Sequence, residues 1–379
     1  MKTHTTHPSK QIQKAVCPAL LIAIALGFSG CGKSARELVD AAQYSDDKST
    51  RMESATKLSD QKLLAELVIN ANDADVRTTA LRKLKDQEFF ARVAAESSDI
   101  TLVMAALEKV TDQKLLIDII NNSKDRITIK KAIEKITDKQ TLAAILKTEG
   151  NNPASEAAFN QLFDSTTIKH FTETDGDLTA FREILKNLPD KQIYALIAKY
   201  AKIRDANEDA SYKAICRISD KSILSELVES IGDGVLRLGA TKRISAIDTA
   251  SDVTKPDEAR TNALLALRGA DDFLANLARN DKSAEVRRAA TFGIVDQQVL
   301  AGLAKNPQDE VAGGIAVSLI KDKNILADLA RSSINERVRL IAANAASDMQ
   351  TISELAKNAK DSGVQSAAKT VLEQLTKGK

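Results

Sequence analysis

Apolar and polar positions recur along this chain with a period of 26 residues. An apolar segment follows a short polar residue, mostly Asp, at the start of each repeat. The starting residues are Ser34, Asp60, Asp86, Asp112, Asp138, Asp164, Asp190, Asp220, Ala246, Ala270, Asp296, Asp322 and Asp348. The step is 30 residues after Asp190 and 24 after Ala246, and it is 26 everywhere else. A fixed period of this length predicts an array of about thirteen structural repeats.

The first half of each repeat has the pattern of a short amphipathic helix. With the starting residue as position 0, apolar residues stand at positions 3, 4, 7 and 8, as in Leu63, Leu64, Leu67 and Val68. Asp or Ser at position 0 is typical of an N-cap. Position 10 is often Asn, at Asn70, Asn122, Asn280, Asn306 and Asn358. Because Asn tolerates the left-handed conformation, we predict that this position ends the helix as a C-cap.

The second half of each repeat predicts another helix after a polar loop. Position 20 is Ala at Ala80, Ala106, Ala132, Ala158, Ala240, Ala266, Ala290, Ala316, Ala342 and Ala368 and, after the insertion, at Ala214. Position 24 is apolar in most repeats, for example at Leu84, Val110 and Ile136. Alanine this regular predicts that two helix backbones approach closely in every repeat. One repeat alone has too little apolar surface to fold, so neighbouring repeats must stack.

Several second helices open with an acid followed by Val-Arg, as at Asp75-Val76-Arg77 and Glu285-Val286-Arg287, and Val338-Arg339 follows Glu336. With the Ala-x₃-Leu tail, the array resembles HEAT repeats and the shorter leucine-rich-variant helical repeats. The resemblance implies an all-α, right-handed α-solenoid over residues 31–379. It also implies an Asp–Arg ladder between repeats, which carries over to Asp75, Arg77, Glu285, Arg287 and Arg339.

The amino terminus has the pattern of a secretory signal. Residues 1–14 carry three Lys, and residues 15–28 form an apolar run of 14, too short to span a bilayer and suited to a signal h-region. Phe28-Ser-Gly-Cys31 resembles a bacterial lipoprotein signal, which implies removal of residues 1–30 and attachment of diacylglycerol and palmitate at Cys31. Gly32 after the Cys favours the outer membrane in that family. A cytosolic protein with an apolar first helix and an uncleaved membrane anchor stay open as alternatives.

A second motif overlaps the same residues. Residues 27–34 (GFSGCGKS) satisfy the phosphate-binding loop G-x-x-x-x-G-K-[ST], in which Lys33 would contact phosphate oxygens and Ser34 would hold Mg²⁺. That site requires a parallel sheet of apolar strands, and no strand-like runs follow in the sequence. We therefore keep the P-loop enzyme as an alternative and expect no cofactor.

Charge and residue types argue against catalysis and against nucleic-acid binding. Without the three Lys of the leader, residues 1–30, the chain has 54 − 3 = 51 basic and 52 acidic side chains, a net charge of −1. Beyond the leader, His170 is the only His, and Cys216 is the only Cys besides Cys31. Cys216, beside the alanine column, is predicted to be a small buried thiol, with intermolecular pairing as the alternative. Residues 173–177 do not have the residue order of a calcium loop, so we expect no metal site there. Because a single His and no reactive pair of side chains remain beyond the leader, we also expect no enzyme activity.

The middle of the array concentrates aromatic residues. Seven of the thirteen lie within 54 residues: Phe159, Phe163, Phe171, Phe181, Tyr194, Tyr200 and Tyr212. The Phe side chains fall largely at core positions. Tyr200, at a helix end, and Tyr212, after an extra polar loop at residues 204–209, are predicted to be exposed. We therefore predict a partner-binding surface at Tyr200 and Tyr212, with Tyr194 beside them.

One further repeat departs from the pattern. Polar residues interrupt the apolar pattern of the first helix expected after Ala246, and Pro256 is predicted to begin the next helix. The segment 247–258 is therefore a predicted joint between two arms of the solenoid.

The sequence as a whole predicts a monomeric, lipid-anchored scaffold or adaptor that presents a solenoid surface to a protein partner in the bacterial envelope. A structural envelope spacer without a dedicated partner is the first alternative, and a P-loop enzyme is the second.

Overall fold

The computed structural model describes residues 33–148, 153–174, 176–201, 204–205 and 208–377. These residues form 25 helices and one pair of two-residue strands, which confirms the all-α repeat fold. Contacts divide the chain into two compact bodies, one ending at Lys85 and the other beginning at Asp86. The right-handed twist of the solenoid stays a prediction.

The first body contains two repeats. Its helices are α1 (Ala35–Tyr44), α2 (Lys48–Lys57), α3 (Gln61–Asn70) and α4 (Ala74–Lys83). Each repeat pairs its two helices, and α1 also packs on α3 while α2 packs on α4. First helices and second helices therefore form separate layers, with the apolar core between them.

The second body continues the same layered pattern. Its first ten helices are α5 (Gln87–Glu96), α6 (Ile100–Lys109), α7 (Gln113–Asn122), α8 (Arg126–Glu134), α9 (Lys139–Leu146), α10 (Pro153–Leu162), α11 (Ser165–Glu173), α12 (Thr179–Ile184), α13 (Asp190–Tyr200) and α14 (Ala210–Ile215). The others are α15 (Lys221–Ser230), α16 (Gly234–Ser251), α17 (Asp257–Leu265), α18 (Asp271–Asn280), α19 (Ala284–Gly293), α20 (Gln297–Lys305), α21 (Glu310–Leu319), α22 (Lys323–Ser332), α23 (Glu336–Ala346), α24 (Met349–Asn358) and α25 (Ser362–Lys377). Strands β1 (Arg204–Asp205) and β2 (Glu208–Asp209) pair antiparallel in the extra polar loop.

The predicted starts of the repeats hold at the level of single residues. Eleven of the thirteen are N-caps, and in nine of these the side-chain oxygen accepts a backbone N–H. Asp190 instead follows an N-cap at Pro189. Ala246 lies inside α16 and offers no side-chain oxygen to cap a new helix, although Ala270, which offers none either, is the N-cap of α18.

The fused helix α16 changes the interpretation of the predicted joint. Its 18 residues join the second helix of one repeat to the first helix of the next, so thirteen repeats give 25 helices in the described residues. Ile247 and Ala250 are buried within it. The segment 247–258 therefore begins inside a helix, and Asp252 caps its end before α17. Motion at this segment stays a prediction.

The prediction that Asn at position 10 ends the first helix in a left-handed conformation is wrong. Asn70 is the last residue of α3, and the C-cap is Ala71 with extended backbone angles of −68° and 136°. The Ala71 amide donates to the Leu67 carbonyl at 3.0 Å. Among described non-glycine residues, only Asn187 and Ser347 have positive φ. The chain leaves these helices directly into an extended loop, which requires no left-handed residue.

The alanine column is confirmed as the tight core, with one exception. Ten of the eleven predicted alanines have no exposed surface, from Ala80 to Ala368. Ala266 is exposed, so its predicted place in the core is wrong. Its repeat is two residues short, and Leu264, six residues before the next start, takes the buried place that Ala80 occupies before Asp86. The deletion therefore shifts the register within the second helix.

Glutamine at position 1 joins the first helix of a repeat to the end of the second helix of the same repeat, a role that the sequence pattern did not predict. Gln113 Oε1 accepts from the Thr137 amide at 3.0 Å, and its Nε2 donates to the Lys135 carbonyl at 3.3 Å. Gln61 and Gln297 make the same two contacts within their own repeats. These amides satisfy backbone groups at the carboxyl ends of second helices, where no intrahelical partner exists.

The arginine ladder exists, but its acid is not the predicted one. Arg287 Nη2 donates to Asp309 Oδ2 of the next repeat at 3.0 Å, and Arg51 makes the equivalent pair with Asp73. Both acids are N-caps of second helices. The ladder roles predicted for Asp75 and Glu285 are therefore wrong, and Asp75 pairs with Lys48 instead.

Two other members of the predicted ladder, Arg77 and Arg339, also donate to backbone carbonyls of their own repeats. Arg77 donates to the carbonyls of Ala71 and Asn72 at the turn before its own helix. Arg339 donates to the Ala330 carbonyl and to Glu354. Arginine at this position thus closes the loop of its own repeat, and the next N-cap aspartate extends the contact where one is present.

Candidate functional site

The residues predicted for membrane attachment lie largely outside the described part of the chain. The predicted signal peptide at 1–30 and Cys31 are not among the described residues. Ser34, the last residue of the P-loop pattern, is the N-cap of α1 and forms a capping box with Glu37. The Ser34 amide, followed by its hydroxyl, holds the pKa of Glu37 below its ordinary value. Ser34 thus has the role that the repeat register predicts.

The predicted exposure of Tyr200 is wrong. Its side chain is buried, and its ring packs against Phe159 with centroids 5.9 Å apart. Burial raises the pKa of its hydroxyl. Tyr200 ends α13, and α13 packs on α10 of an earlier repeat, so the helix end faces the core and not the solvent.

Tyr194 is half-buried and also contributes to the interior. Its ring centroid lies 6.2 Å from that of Phe171, and its hydroxyl donates to the Gly176 carbonyl at 3.4 Å. Burial raises the pKa of Tyr194 to about 12. The hydroxyl is therefore neutral at physiological pH and serves as a hydrogen-bond donor.

Tyr212 is the one predicted surface tyrosine that the structure exposes, with half of its side chain accessible. Its ring packs over Gly239 of α16, where an added Cβ would lie 3.3 Å from Tyr212 Cε2. The missing side chain at Gly239 thus gives the aromatic ring a flat support. Tyr212 is therefore supported on one side while half of its surface stays accessible.

The residues considered for chemistry do not form a reactive cluster. Cys216 is half-buried, and burial raises the pKa of its thiol, which favours the protonated, unreactive form. His170 Nε2 lies 3.5 Å from the Asp177 carboxylate. That carboxylate also accepts a hydrogen bond from the Thr179 amide at the start of α12, which gives it a structural role. No group of three or more His, Cys, Asp or Glu within the described ranges is arranged to hold a metal ion.

Exposed apolar side chains instead concentrate on second helices. At least one stands on each of four successive second helices of the second body, and we call the following four the apolar row: Tyr212 on α14, Leu238 on α16, Leu265 on α17 and Phe292 on α19. Leu265 is 81% exposed and Phe292 is 58% exposed. Each of these helices packs on the next.

The apolar row ends in a groove of about 580 Å³ at the carboxyl ends of α17, α19 and α21. Gly269 turns the chain after α17 with a φ of 85°, and its amide donates to the Gly293 carbonyl at 2.9 Å. Gly293 lets α19 pack closely on the core, since an added Cβ would lie 2.8 Å from Cδ1 of the buried Leu274. On the other side, Gln297 accepts from the Lys321 amide at 2.6 Å. Backbone hydrogen bonds therefore fix both walls.

The lining of this groove is mostly apolar with a positive charge. The large apolar side chains that line it are Leu264, Leu265, Phe292, Ile294, Leu300 and Leu319. Arg268 and Lys321 are the charged side chains of the lining, and both are exposed. Since α19 packs between α17 and α21, these cations stand on opposite sides of the α19 carboxyl end. The groove combines exposed apolar area with two fixed cations.

The sequence reasoning missed Phe292, although a signal was present. Phe292 stands at position 22, where Lys242, Ser318 and Asn344 occupy the same place in other repeats. Position 22 follows the buried column by two residues, so a large apolar residue there has no core to enter. A search for residues that break the polar pattern would have found it.

The other observations do not assign the chain to a family. None of the helices in the described ranges is long and apolar enough to cross a bilayer. The repeat fold supports many unrelated functions, so the fold does not identify an activity. No protein-family model and no curated protein matches this sequence.

Proposed function

We propose that this chain is a non-enzymatic, lipid-anchored scaffold that binds a protein through the second-helix layer of its repeats, in the bacterial envelope and at the outer membrane. The observation that carries the proposal is the apolar row of Tyr212, Leu238, Leu265 and Phe292. Exposed apolar surface of this kind marks interaction sites in soluble proteins.

The row suits binding because of where the fold places it. A repeat protein presents the same helix of every repeat on one layer, so a partner can contact several repeats at once. Tyr212 is supported by Gly239, and the turn beside Leu265 is fixed by the Gly269–Gly293 hydrogen bond. Anchors that are already ordered lose little entropy on binding, which favours affinity.

Site-specific photocrosslinking in living cells tests the proposal. A photoreactive phenylalanine derivative at Leu238, Leu265 or Phe292 is expected to give a discrete crosslinked protein. The matched controls are Asp272 on α18 and Gln298 on α20, which are exposed on the first helices of neighbouring repeats. Equal crosslinking from both layers, or none from the second helices, would favour the envelope spacer over the scaffold.

The lipid anchor rests on the sequence pattern around Cys31 and requires its own experiment. Replacing Cys31 by Ser is expected to abolish incorporation of labelled palmitate and to move the protein from the membrane to the soluble fraction, since the anchor consists of its acyl chains. Replacing Cys216 by Ser is the control and is expected to change neither. A Cys31→Ser protein that stays in the membrane would indicate an uncleaved anchor, and one that binds ATP would favour the P-loop enzyme.

A further inference from the structure

We propose that the groove lined by Leu265, Phe292, Arg268 and Lys321 binds an amphipathic helix of a partner protein that carries carboxylates on both sides of its apolar face. This inference rests on the proposed scaffold function and adds the chemistry of the partner.

Charge determines the flanks of the partner. Arg268 and Lys321 are exposed and lie on opposite sides of the α19 carboxyl end. The described residues that line the groove include no carboxylate to neutralise them. Acidic side chains on a partner would therefore complement both cations, and basic side chains would be repelled.

The walls of the groove determine the conformation of the partner. They consist of helix ends and turns, and the only strands in the described ranges lie elsewhere, at residues 204–209. An extended peptide would therefore find no strand edge to satisfy its backbone N–H and C=O groups. A helix satisfies these groups internally and projects apolar side chains at i, i+3, i+4 and i+7 into a groove.

Helix spacing determines the length of the segment. Packed helices lie about 8–10 Å apart, so α17 and α21, on either side of α19, are separated by about 16–20 Å. A helix rises 1.5 Å per residue, and about 11–13 residues span that distance. The carboxylates of the partner should therefore stand about three turns apart, with Leu or Phe between them.

Selection from a random 18-residue peptide library displayed on phage, with the full mature chain as the target, tests this inference. Enriched peptides are expected to be amphipathic helices with Asp or Glu about three turns apart. Phe292→Ala is expected to weaken their binding by at least about tenfold, as for an anchor residue. The double variant Arg268→Glu, Lys321→Glu is expected to select Lys- or Arg-flanked peptides instead.

Three results would overturn the inference. They are the absence of enriched peptides, selection of the same acidic flanks by the charge-reversed variant, and peptide binding that Phe292→Ala leaves unchanged. A dimer in sedimentation that Phe292→Ala dissociates would assign the groove to a second copy of the chain and would also overturn it. Gln298→Ala is the control for surface changes. The in-cell crosslinking is an independent test. Crosslinks from second helices without enrichment of acidic peptides would support the scaffold function and contradict only the proposed helical partner.

Discussion

Replacing Asp281 by Ala is expected to lower the free energy of unfolding by about 3–5 kcal/mol, because the change leaves the buried Arg260 with only the partly exposed Asp257 carboxylate, 3.9 Å away, as its charge partner. Asp281 and Arg260 are each only 4% exposed in their side chains. Arg260 Nη1 donates to Asp281 Oδ1 at 3.1 Å, and Arg260 Nε donates to the Ala250 carbonyl at 3.0 Å. The pair joins the end of α16 to α17 and to the end of α18.

The matched control is an ion pair of the same chemistry on the surface. Asp248 and Lys221 are each more than half exposed, so Asp248→Ala is expected to change the free energy of unfolding by about 0.5 kcal/mol or less. Urea unfolding followed by circular dichroism measures both variants. Equal effects in the two would contradict the assignment of Arg260–Asp281 as a buried structural pair.

The same pair predicts a pH dependence with a defined sign. Burial alone would raise the pKa of Asp281, but hydrogen bonds from Arg260 and the Ser283 amide and the nearby positive charges lower it overall. A depressed carboxylate stabilises the folded state above its unfolded pKa of about 3.9 and loses that effect as the pH falls through the folded pKa. The stability gap between wild type and Asp281→Asn should therefore be full at pH 7 and shrink below about pH 4.

Most of the repeat boundaries could be predicted because a single side chain caps the helix that begins there. An Asp or Ser at position 0 caps the first turn by a local hydrogen bond, and that contact needs no knowledge of the rest of the fold. At Ala246 no such oxygen is present and the chain continues as one helix, whereas α18 begins after Ala270 without one, so the cap alone does not decide every boundary. The alanine column was predictable for a similar reason, because its period is visible in the sequence alone.

Contacts between repeats could not be predicted in the same way. Asp309 binds Arg287 of the preceding repeat, 22 residues away in sequence, and this pairing depends on how the repeats stack. Even within one repeat, the contacts of Gln113 with Lys135 and Thr137 depend on how its two helices pack. The prediction that Tyr200 is exposed was also wrong because it depended on helix packing. Its place at a helix end was predicted correctly, but the direction of that end was set by the packing of α13 on α10. The candidate groove likewise depends on three helices that only the fold brings together.

Replacing Phe181 by Ala is expected to destabilise the second body by about 3–5 kcal/mol, in the range of large aromatic truncations in a core. Phe181 is 1% exposed. Its ring centroid lies 4.5 Å from that of Phe163 and 5.9 Å from that of Phe171. The burial of these three rings confirms the prediction that the Phe residues of this region form core. Phe181 is also the buried residue of the six-residue helix α12.

The comparison with Phe292→Ala separates burial from residue type. Both variants remove the same ring, but Phe292 is 58% exposed, and its loss is expected to change stability by less than about 0.5 kcal/mol. Equal destabilisation would mean that Phe292 belongs to the core and is not available to a partner. A Phe292→Ala variant that stays stable but loses peptide binding would show that Phe181 has a structural role and Phe292 a binding role.

Hydrogen exchange locates the effect of Phe181→Ala along the array. In a repeat protein each repeat contacts mainly its neighbours, so damage at α12 should spread only to adjacent repeats. The amides of Arg182 and Leu185, which donate to the carbonyls of Leu178 and Phe181, are expected to exchange faster in this variant. Amides of α22 and α23 should keep their wild-type rates. Uniform acceleration across the second body would instead show that its repeats unfold as one cooperative unit, and a partner bound at the groove would then stabilise the aromatic core as well.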